Sequence, residues 1–257
     1  MKEKVFNLIA HRGFSERSPE NTIQSFDLAL KEGFNNFEFD VQLTKDKIPV
    51  VIHDSDLIRT TGIKGIISEK KYSEIKSLNA KNNFQNLTGH FRIPTLDEIL
   101  IRYKDKAHLH LELKSRDQDL SEIVFNFLKE FKWLSSKKKI FEPGGITISS
   151  FYIEQIMRFN HFTKDENSAW LLEKITHNDL DICKSNEIDL ICPRALHANH
   201  KMVSEAFEKN ILVRNWGVSS EKDLINAYNS GSKGTTVDWP TKGKEMISNY
   251  ENNKISN

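Results

Sequence analysis

The side chains of this 257-residue chain best equipped for chemistry are His11, Arg12, Glu38, Asp40, His53, Glu112 and Lys114. Glu38 and Asp40 stand two residues apart, as do Glu112 and Lys114, and on a strand that spacing puts each pair on one face. Three carboxylates from two such strands supply hard oxygen donors, the set that suits one divalent cation, Mg²⁺ or Ca²⁺, rather than zinc. His11 and His53 titrate near neutral pH and suit a general acid and a general base, either residue fitting either role. Arg12 and Lys114 bring fixed positive charge, which suits an anion such as a phosphoryl group. A metal, a histidine pair and two cations together point to phosphodiester cleavage. A purely structural arrangement competes: His11-Arg12 as part of a helix-capping loop, and the acids as a salt-bridge network with Lys114.

These side chains need elements that bring them together. Val5 to Ala10 is a short apolar run that reads as a strand stopping at His11, and Thr22 to Lys31 spaces Ile23, Phe26, Ala29 and Leu30 as a helix does. Gly13 supplies a sharp turn between them, and Pro19 pre-sets the helix entry. Asn36 to Leu43 alternates, with Asn36, Glu38, Asp40 and Gln42 on one face and Phe37, Phe39, Val41 and Leu43 on the other. Ile48 to Ile52 reads as a short strand ending at His53-Asp54. His108 to Lys114 alternates again, so its polar face (His108, His110, Glu112, Lys114) looks either at solvent or into a polar barrel interior. Thr95, with Glu98 at the capping-box position, opens a helix. The stretch from about Arg59 to Arg92 is polar and irregular, with one short helix near Tyr72 to Leu78, and reads as an excursion from the main fold, a flap.

Beyond Asp119 to Phe131, a helix, the chain settles into a rhythm. Strands at Ile146–Ile148, Ala169–Leu172, Ile188–Ile191, Ile211–Val213 and Thr235–Val237 precede helices at Phe151–Phe159, Asn178–Lys184, Lys201–Lys209, Glu221–Asn229 and Lys242–Asn249. About eight strand–helix units make the chain an α/β protein of the TIM-type (β/α)₈ barrel class, read as one domain over residues 1–257 with a frayed tail over 250–257. A doubly wound open sheet is the competing architecture, weakened by the lack of a G-x-G-x-x-G after the first strand. In a barrel the strand ends converge on one site, which gathers the residues above with Trp216 and Asp238. His108 and His110 lie lower on their strand and read as interior filler, His110 with some claim to a role; Asp238 and Arg214 fit function and packing equally.

Composition narrows the functional class. Lys and Arg number 37 against 36 Asp and Glu, a net charge of +1 that argues against an obligatory nucleic-acid or anionic-membrane partner. The two cysteines, Cys183 and Cys192, lack metal-type spacing and suit a reducing, cytoplasmic setting. No apolar stretch reaches membrane-spanning length, so no transmembrane segment is expected, and the oligomeric state stays open.

His11-Arg12-Gly13, Pro19-Glu20-Asn21-Thr22, Glu38-Phe39-Asp40-Val41, Thr44-Lys45-Asp46, His53-Asp54, Arg59-Thr60-Thr61-Gly62, Pro94-Thr95-Leu96 and Glu112-Leu113-Lys114 resemble the motifs of the glycerophosphodiester phosphodiesterase family, in order and at compatible spacing. Ser149-Ser150-Phe151, Trp216-Gly217-Val218 and Val237-Asp238-Trp239-Pro240 are looser echoes: Gly217 stands for a usual threonine, Ser219 for an asparagine and Val237 for a threonine. The resemblance implies a TIM barrel that hydrolyses a small-molecule glycerophosphodiester to glycerol 3-phosphate and an alcohol with one divalent cation. It implies Glu38, Asp40 and Glu112 as metal ligands, His11 and His53 as the acid–base pair, Arg12 and Lys114 on the phosphate, and Trp216 in the pocket wall. Glu20 and Asn21 read as organising the loop rather than touching substrate. Two alternatives stand beside this reading: a lysophospholipase D or sphingolipid-type phosphodiesterase on the same barrel, and a catalytically silent barrel that binds phosphate esters.

Overall fold

The first apolar run forms β1 (Asn7–His11), which starts two residues later than its pattern suggests and takes in His11 as its last residue. The structure is a computed structural model that describes residues 5–134 and 139–255. Helix α1 (Ile23–Lys31) is capped by Thr22, whose hydroxyl accepts from the Ser25 backbone N–H. β2 (Asn36–Leu43) is buried along its whole length. β3 (Pro49–Val51) turns back and pairs antiparallel with β2, Gln42 opposite Val50. The polar stretch that follows holds two one-turn helices, α2 (Ile58–Thr61) and α3 (Tyr72–Ile75), with a 3₁₀ turn at Ile67–Glu69 between them. Only α3 is foreshadowed in sequence, and it stops three residues short of Leu78. The stretch is ordered by a small core of its own, Val50, Ile52, Leu57, Ile67, Ile75, Ala80 and Ile93, whose members are too irregularly spaced to show a period.

The rest of the chain alternates. α4 (Leu96–Tyr103) opens with the Glu98 carboxylate accepting from Thr95 N–H at 3.0 Å, and β4 (His108–Leu113) follows. Then come α5 (Leu120–Glu130), β5 (Ile146–Ser150), α6 (Ile153–Phe162), β6 (Asn167–Leu172), α7 (His177–Ser185) and β7 (Leu190–Pro193). α8 (His200–Glu208), β8 (Leu212–Val213), α9 (Glu221–Asn229), β9 (Gly234–Val237) and α10 (Pro240–Ile255) complete the chain. Residues 250–255, read from sequence as a frayed tail, continue α10; residues 256 and 257 lie outside the described residues. The helix extends because Tyr250 and Glu251 have partners: the Tyr250 hydroxyl accepts from Asn229 Nδ2 at 2.6 Å, and Tyr228 hydrogen-bonds Glu251.

Apart from β3, the strands are parallel, in the order β8-β7-β6-β5-β4-β2-β1-β9. The ring closes just past β8, where Asn215 N–H donates to Gly234 O at 2.8 Å and Thr236 N–H to Asn215 O at 3.1 Å. The result is a nearly closed barrel of eight parallel strands with helices between them, and not an open doubly wound sheet. Phe37, Phe39, Leu109 and Leu111 face outward beneath the helices, where Phe26 and Tyr103 pack on the two phenyl rings. Each such side chain contributes about 1.5–3 kcal/mol by leaving water. That apolar packing fixes which face of β2 and β4 points inward, and so turns Glu38, Asp40 and Glu112 into the barrel.

Candidate active site

The carboxylates meet because β2 and β4 are neighbours in register, Asp40 opposite Glu112 and Glu38 opposite His110. Oxygens of Glu38, Asp40 and Glu112 all lie within 4.8 Å of one another, with the three residues 4 %, 1 % and 6 % exposed. Burial and the neighbouring Asp40 charge raise the Glu38 carboxyl and push that of Glu112 up to about 7. Burial acts on Asp40 in the same direction, but the Arg12 and Lys114 cations outweigh it and hold that carboxyl well below its ordinary range. Glu38 Oε2 is buried with no hydrogen-bond partner. A cluster of hard oxygens, mutually repelling and with one donor atom unused, fits a divalent cation.

The cations sit against this cluster. Lys114 Nζ donates to Glu112 Oε1 at 2.8 Å and lies 3.3 Å from Asp40 Oδ1. Arg12 Nε lies 3.3 Å from Asp40 Oδ2, and Arg12 NH1 donates to Glu20 Oε1 at 2.9 Å. Asn21, held at φ +57°, donates from Nδ2 to Asp40 Oδ2 at 2.9 Å. The turn that aims Arg12 and Asn21 depends on Gly13, at φ +80°, where a Cβ would meet Ser25 atoms at 2.4–2.7 Å. Glu20 also takes a forked pair of bonds from Arg59, at 2.6 and 2.8 Å, and thereby ties the β1–α1 loop to α2.

Each histidine is oriented by a carboxylate. His11 Nδ1 lies 2.6 Å from Asp238 Oδ1, which also accepts from Ser15 Oγ at 2.8 Å, and His11 Nε2 is 3.7 Å from Glu38 Oε2. His53 Nδ1 lies 2.7 Å from Asp54 Oδ1, and Asp54 is in turn held by Arg59 Nε. Their surroundings push the two rings apart. Burial and Arg12 pull His11 down, but the Asp238 hydrogen bond and the Glu38 charge prevail and raise it above its ordinary value. Burial lowers His53, and with Arg12 and Lys114 it outweighs Asp40 and Asp54.

A cavity of about 180 Å³ opens on this constellation, lined by His11, Arg12, Glu38, His53, Glu112 and Lys114. Phe151, Leu171, Arg214, Trp216, Gly217 and Thr236 complete its lining. Trp216 donates from Nε1 to Leu172 O at 3.0 Å and meets Phe151 edge-on at 4.9 Å. Gly217 has φ +70°, and a Cβ there would lie 3.2 Å from Arg194 Cγ. The structure therefore brings His11, Arg12, Glu38, His53, Glu112, Lys114 and Trp216 to one cavity, with Asp40, Glu20 and Asn21 directly behind it. His108 and His110 stay in the barrel interior, their rings 4.7 Å apart; His108 bonds Thr147 Oγ1, and burial lowers it to about 4. Asp54, Arg59 and Phe151 carry no role in the sequence reading, although Asp54 follows His53 directly. Asp238 has a defined partner, His11.

The glycerophosphoryl diester phosphodiesterase family model matches residues 11–242. A glycerophosphodiester phosphodiesterase of Bacillus altitudinis is 30% identical over 251 residues, covering 93% of this chain and 97% of the relative. The barrel superposes on that of a glycerophosphodiester phosphodiesterase from Parabacteroides distasonis with TM-score 0.80 at 23% identity, covering 96% and 99% of the two chains. A phosphodiesterase from Oleispira antarctica, solved in complex with the product sn-glycerol-3-phosphate, aligns with TM-score 0.79 at 26% identity over 95% and 97% of the two chains.

Proposed function

The chain belongs to the glycerophosphoryl diester phosphodiesterase family, and from that premise we propose that its strand-end site hydrolyses glycerophosphodiesters to glycerol 3-phosphate and an alcohol. The observation that carries the reading is the convergence of three buried carboxylates and two carboxylate-oriented histidines on one cavity. In this reading Glu38, Asp40 and Glu112 hold one divalent cation, Mg²⁺ or Ca²⁺. Such an ion would supply Lewis-acid charge at the phosphoryl group and would neutralise the acidic cluster.

The remaining work falls to the chain's own residues. His53 donates its Nδ1 proton to Asp54, which leaves Nε2 as an acceptor, and its lowered pKa keeps the ring neutral. It is therefore the general base that takes a proton from the water whose oxygen bonds to phosphorus. His11, whose Nδ1 is held against Asp238 Oδ1, takes the other role and delivers a proton to the alcohol oxygen as its bond to phosphorus breaks. Arg12 and Lys114 orient the anionic oxygens, Trp216 and Phe151 wall the cavity, and Glu20 and Asn21 hold Arg12 and Asp40 in place. The stretch over 54–92 serves as a fixed lid rather than a separate domain, anchored through the Arg59–Glu20 fork. A cytoplasmic setting suits the two cysteines, free and buried, and no helix among the described residues is long and apolar enough to cross a membrane.

A second reading, hydrolysis of lysophospholipids, draws on the exposed Ile58, Ile63 and Ile66 around α2, an apolar edge beside Arg59. One assay separates the two. Metal-supplied protein is offered glycerophosphocholine, glycerophosphoethanolamine and lysophosphatidylcholine. Release of glycerol 3-phosphate from the first two supports the proposal. Turnover of the lysolipid alone supports the second reading, and silence on all three rejects both.

A further inference from the structure

Arg214 is the largest fully buried side chain of the barrel, 1 % exposed, and all three of its guanidinium nitrogens lack a hydrogen-bond partner. It continues β8 beyond Val213, and the strand period places Leu212, Arg214 and Trp216 on the same inward face. Leu212 and Trp216 pack inside the barrel with Leu171, Leu190 and Cys192, and Arg214 borders the active-site cavity between them. The other cations of that cavity are matched: Arg12 touches Glu20 and Asp40, and Lys114 touches Asp40 and Glu112. No carboxylate stands within ion-pair reach of Arg214 among the described residues. A guanidinium stripped of water and left without a counter-charge is costly to keep in a fold, and replacing it by an apolar side chain of similar size commonly stabilises. Its five donors, set in a planar fork, match a carboxylate or phosphate above any neutral group.

We propose that Arg214 is a substrate-binding residue whose guanidinium takes the anionic oxygens of the bound ester at the floor of the cavity. Two sources share that chemistry: the phosphoryl group itself, or a second negatively charged group on the half of the substrate that enters the barrel. The inference leans on the proposed function only in taking the ligand to be a phosphate ester, so binding rather than turnover is the way to test it.

The experiment is calorimetric titration of the full chain in Mg²⁺ buffer with sn-glycerol 3-phosphate, inorganic phosphate, 3-phosphoglycerate and glycerol. It compares the native protein with Arg214→Gln and Arg214→Lys. Loss of a forked, charge-assisted pair predicts binding about 100-fold weaker in Arg214→Gln, with Arg214→Lys intermediate and glycerol unaffected. Equal losses for glycerol 3-phosphate and inorganic phosphate assign the phosphoryl group. A loss confined to 3-phosphoglycerate, with that ligand preferred by the native protein, assigns a second anionic group. Unchanged affinity for all three anions in Arg214→Gln overturns the inference. If the native protein binds inorganic phosphate but not glycerol 3-phosphate, the proposed function fails while Arg214 is still tested by the phosphate arm. Thermal unfolding of ligand-free Arg214→Met is a second readout. An unpaired binding cation predicts a melting temperature equal to or above native, whereas a fall with anion affinity intact marks a structural residue and overturns the inference.

Discussion

Replacing Glu20 with glutamine takes a negative charge from between two guanidiniums. Glu20 accepts from Arg12 NH1 at 2.9 Å and from Arg59 NH1 and NH2 at 2.6 and 2.8 Å. The amide keeps one acceptor oxygen and turns an NH₂ group toward a cation in place of the other. Breaking a fully buried pair loses about 3–5 kcal/mol, and an exposed one about 0–1 kcal/mol. The Glu20 and Arg12 side chains are each 16 % exposed and that of Arg59 is 36 % exposed, which sets this clamp between the limits. A loss of about 2 kcal/mol follows. For a chain of this length that is a fall in melting temperature of about 4–8 °C, read by calorimetry at pH 7. The pH dependence has a definite sign. Burial raises the Glu20 carboxyl, but Arg59 and Arg12 prevail and lower it. A carboxyl lowered on folding adds stability above its unfolded pKa, about 4.3, and gives it up as pH falls through the folded value. The gap between native and Glu20→Gln protein is therefore full at pH 7 and closes in acid. Arg59 also holds Asp54 against His53, so turnover of Glu20→Gln falls by about 10-fold. Equal melting temperatures at pH 7, or a gap that ignores pH, would refute this account of the clamp.

Three further changes probe other parts of the site. His11→Ala and His53→Ala each lower kcat by about 10²–10⁴-fold while melting temperature and cation binding hold, and a variant that keeps its turnover removes that histidine from the chemistry. Phe151→Ala takes away the edge-on partner of Trp216, 4.9 Å distant, and so raises KM several-fold with kcat nearly constant; a kcat loss without a KM change contradicts its place in the wall. Gly217→Ala puts a Cβ on a residue at φ +70°, 3.2 Å from Arg194 Cγ. A strain of about 1–2 kcal/mol lowers its melting temperature by about 2–8 °C, and an unmoved transition would show that the turn tolerates a side chain.

The parts of the fold legible in sequence are those where burial imposes a strict period. β2 and β4 announce themselves because each alternates bulky apolar residues with polar ones, and the only inward place for Glu38, Asp40 and Glu112 is the barrel. The short strands are harder to read: β8 is Leu212–Val213 alone, its pairing with β7 is prolonged by a single bridge at Arg194–Trp216, and the barrel closes onto β9 through a single bridge at Asn215–Thr235, none of which carries a sequence pattern. α10 outruns its expected end because Tyr250 and Glu251 find partners on α9, a tertiary effect absent from local propensity. Within the site, the charged residues are visible as types, but their pairing is not. Asp238 meets His11 across 227 positions and Arg59 meets Glu20 across 39, contacts that only the folded chain creates. Arg214 is the opposite case, a residue whose significance lies in the partner it lacks.

The central claim is that the buried carboxylates hold the cation on which phosphodiester hydrolysis depends, and one titration addresses it. Chelator-stripped protein is supplied with glycerophosphocholine, and release of glycerol 3-phosphate is followed as Mg²⁺ or Ca²⁺ is added, alongside Glu112→Gln. The account predicts a rate that climbs from background to saturation with cation, and a Glu112→Gln curve displaced to at least about 10-fold higher cation or flat. Full turnover in chelator, or a Glu112→Gln curve that overlays the native one, would contradict it.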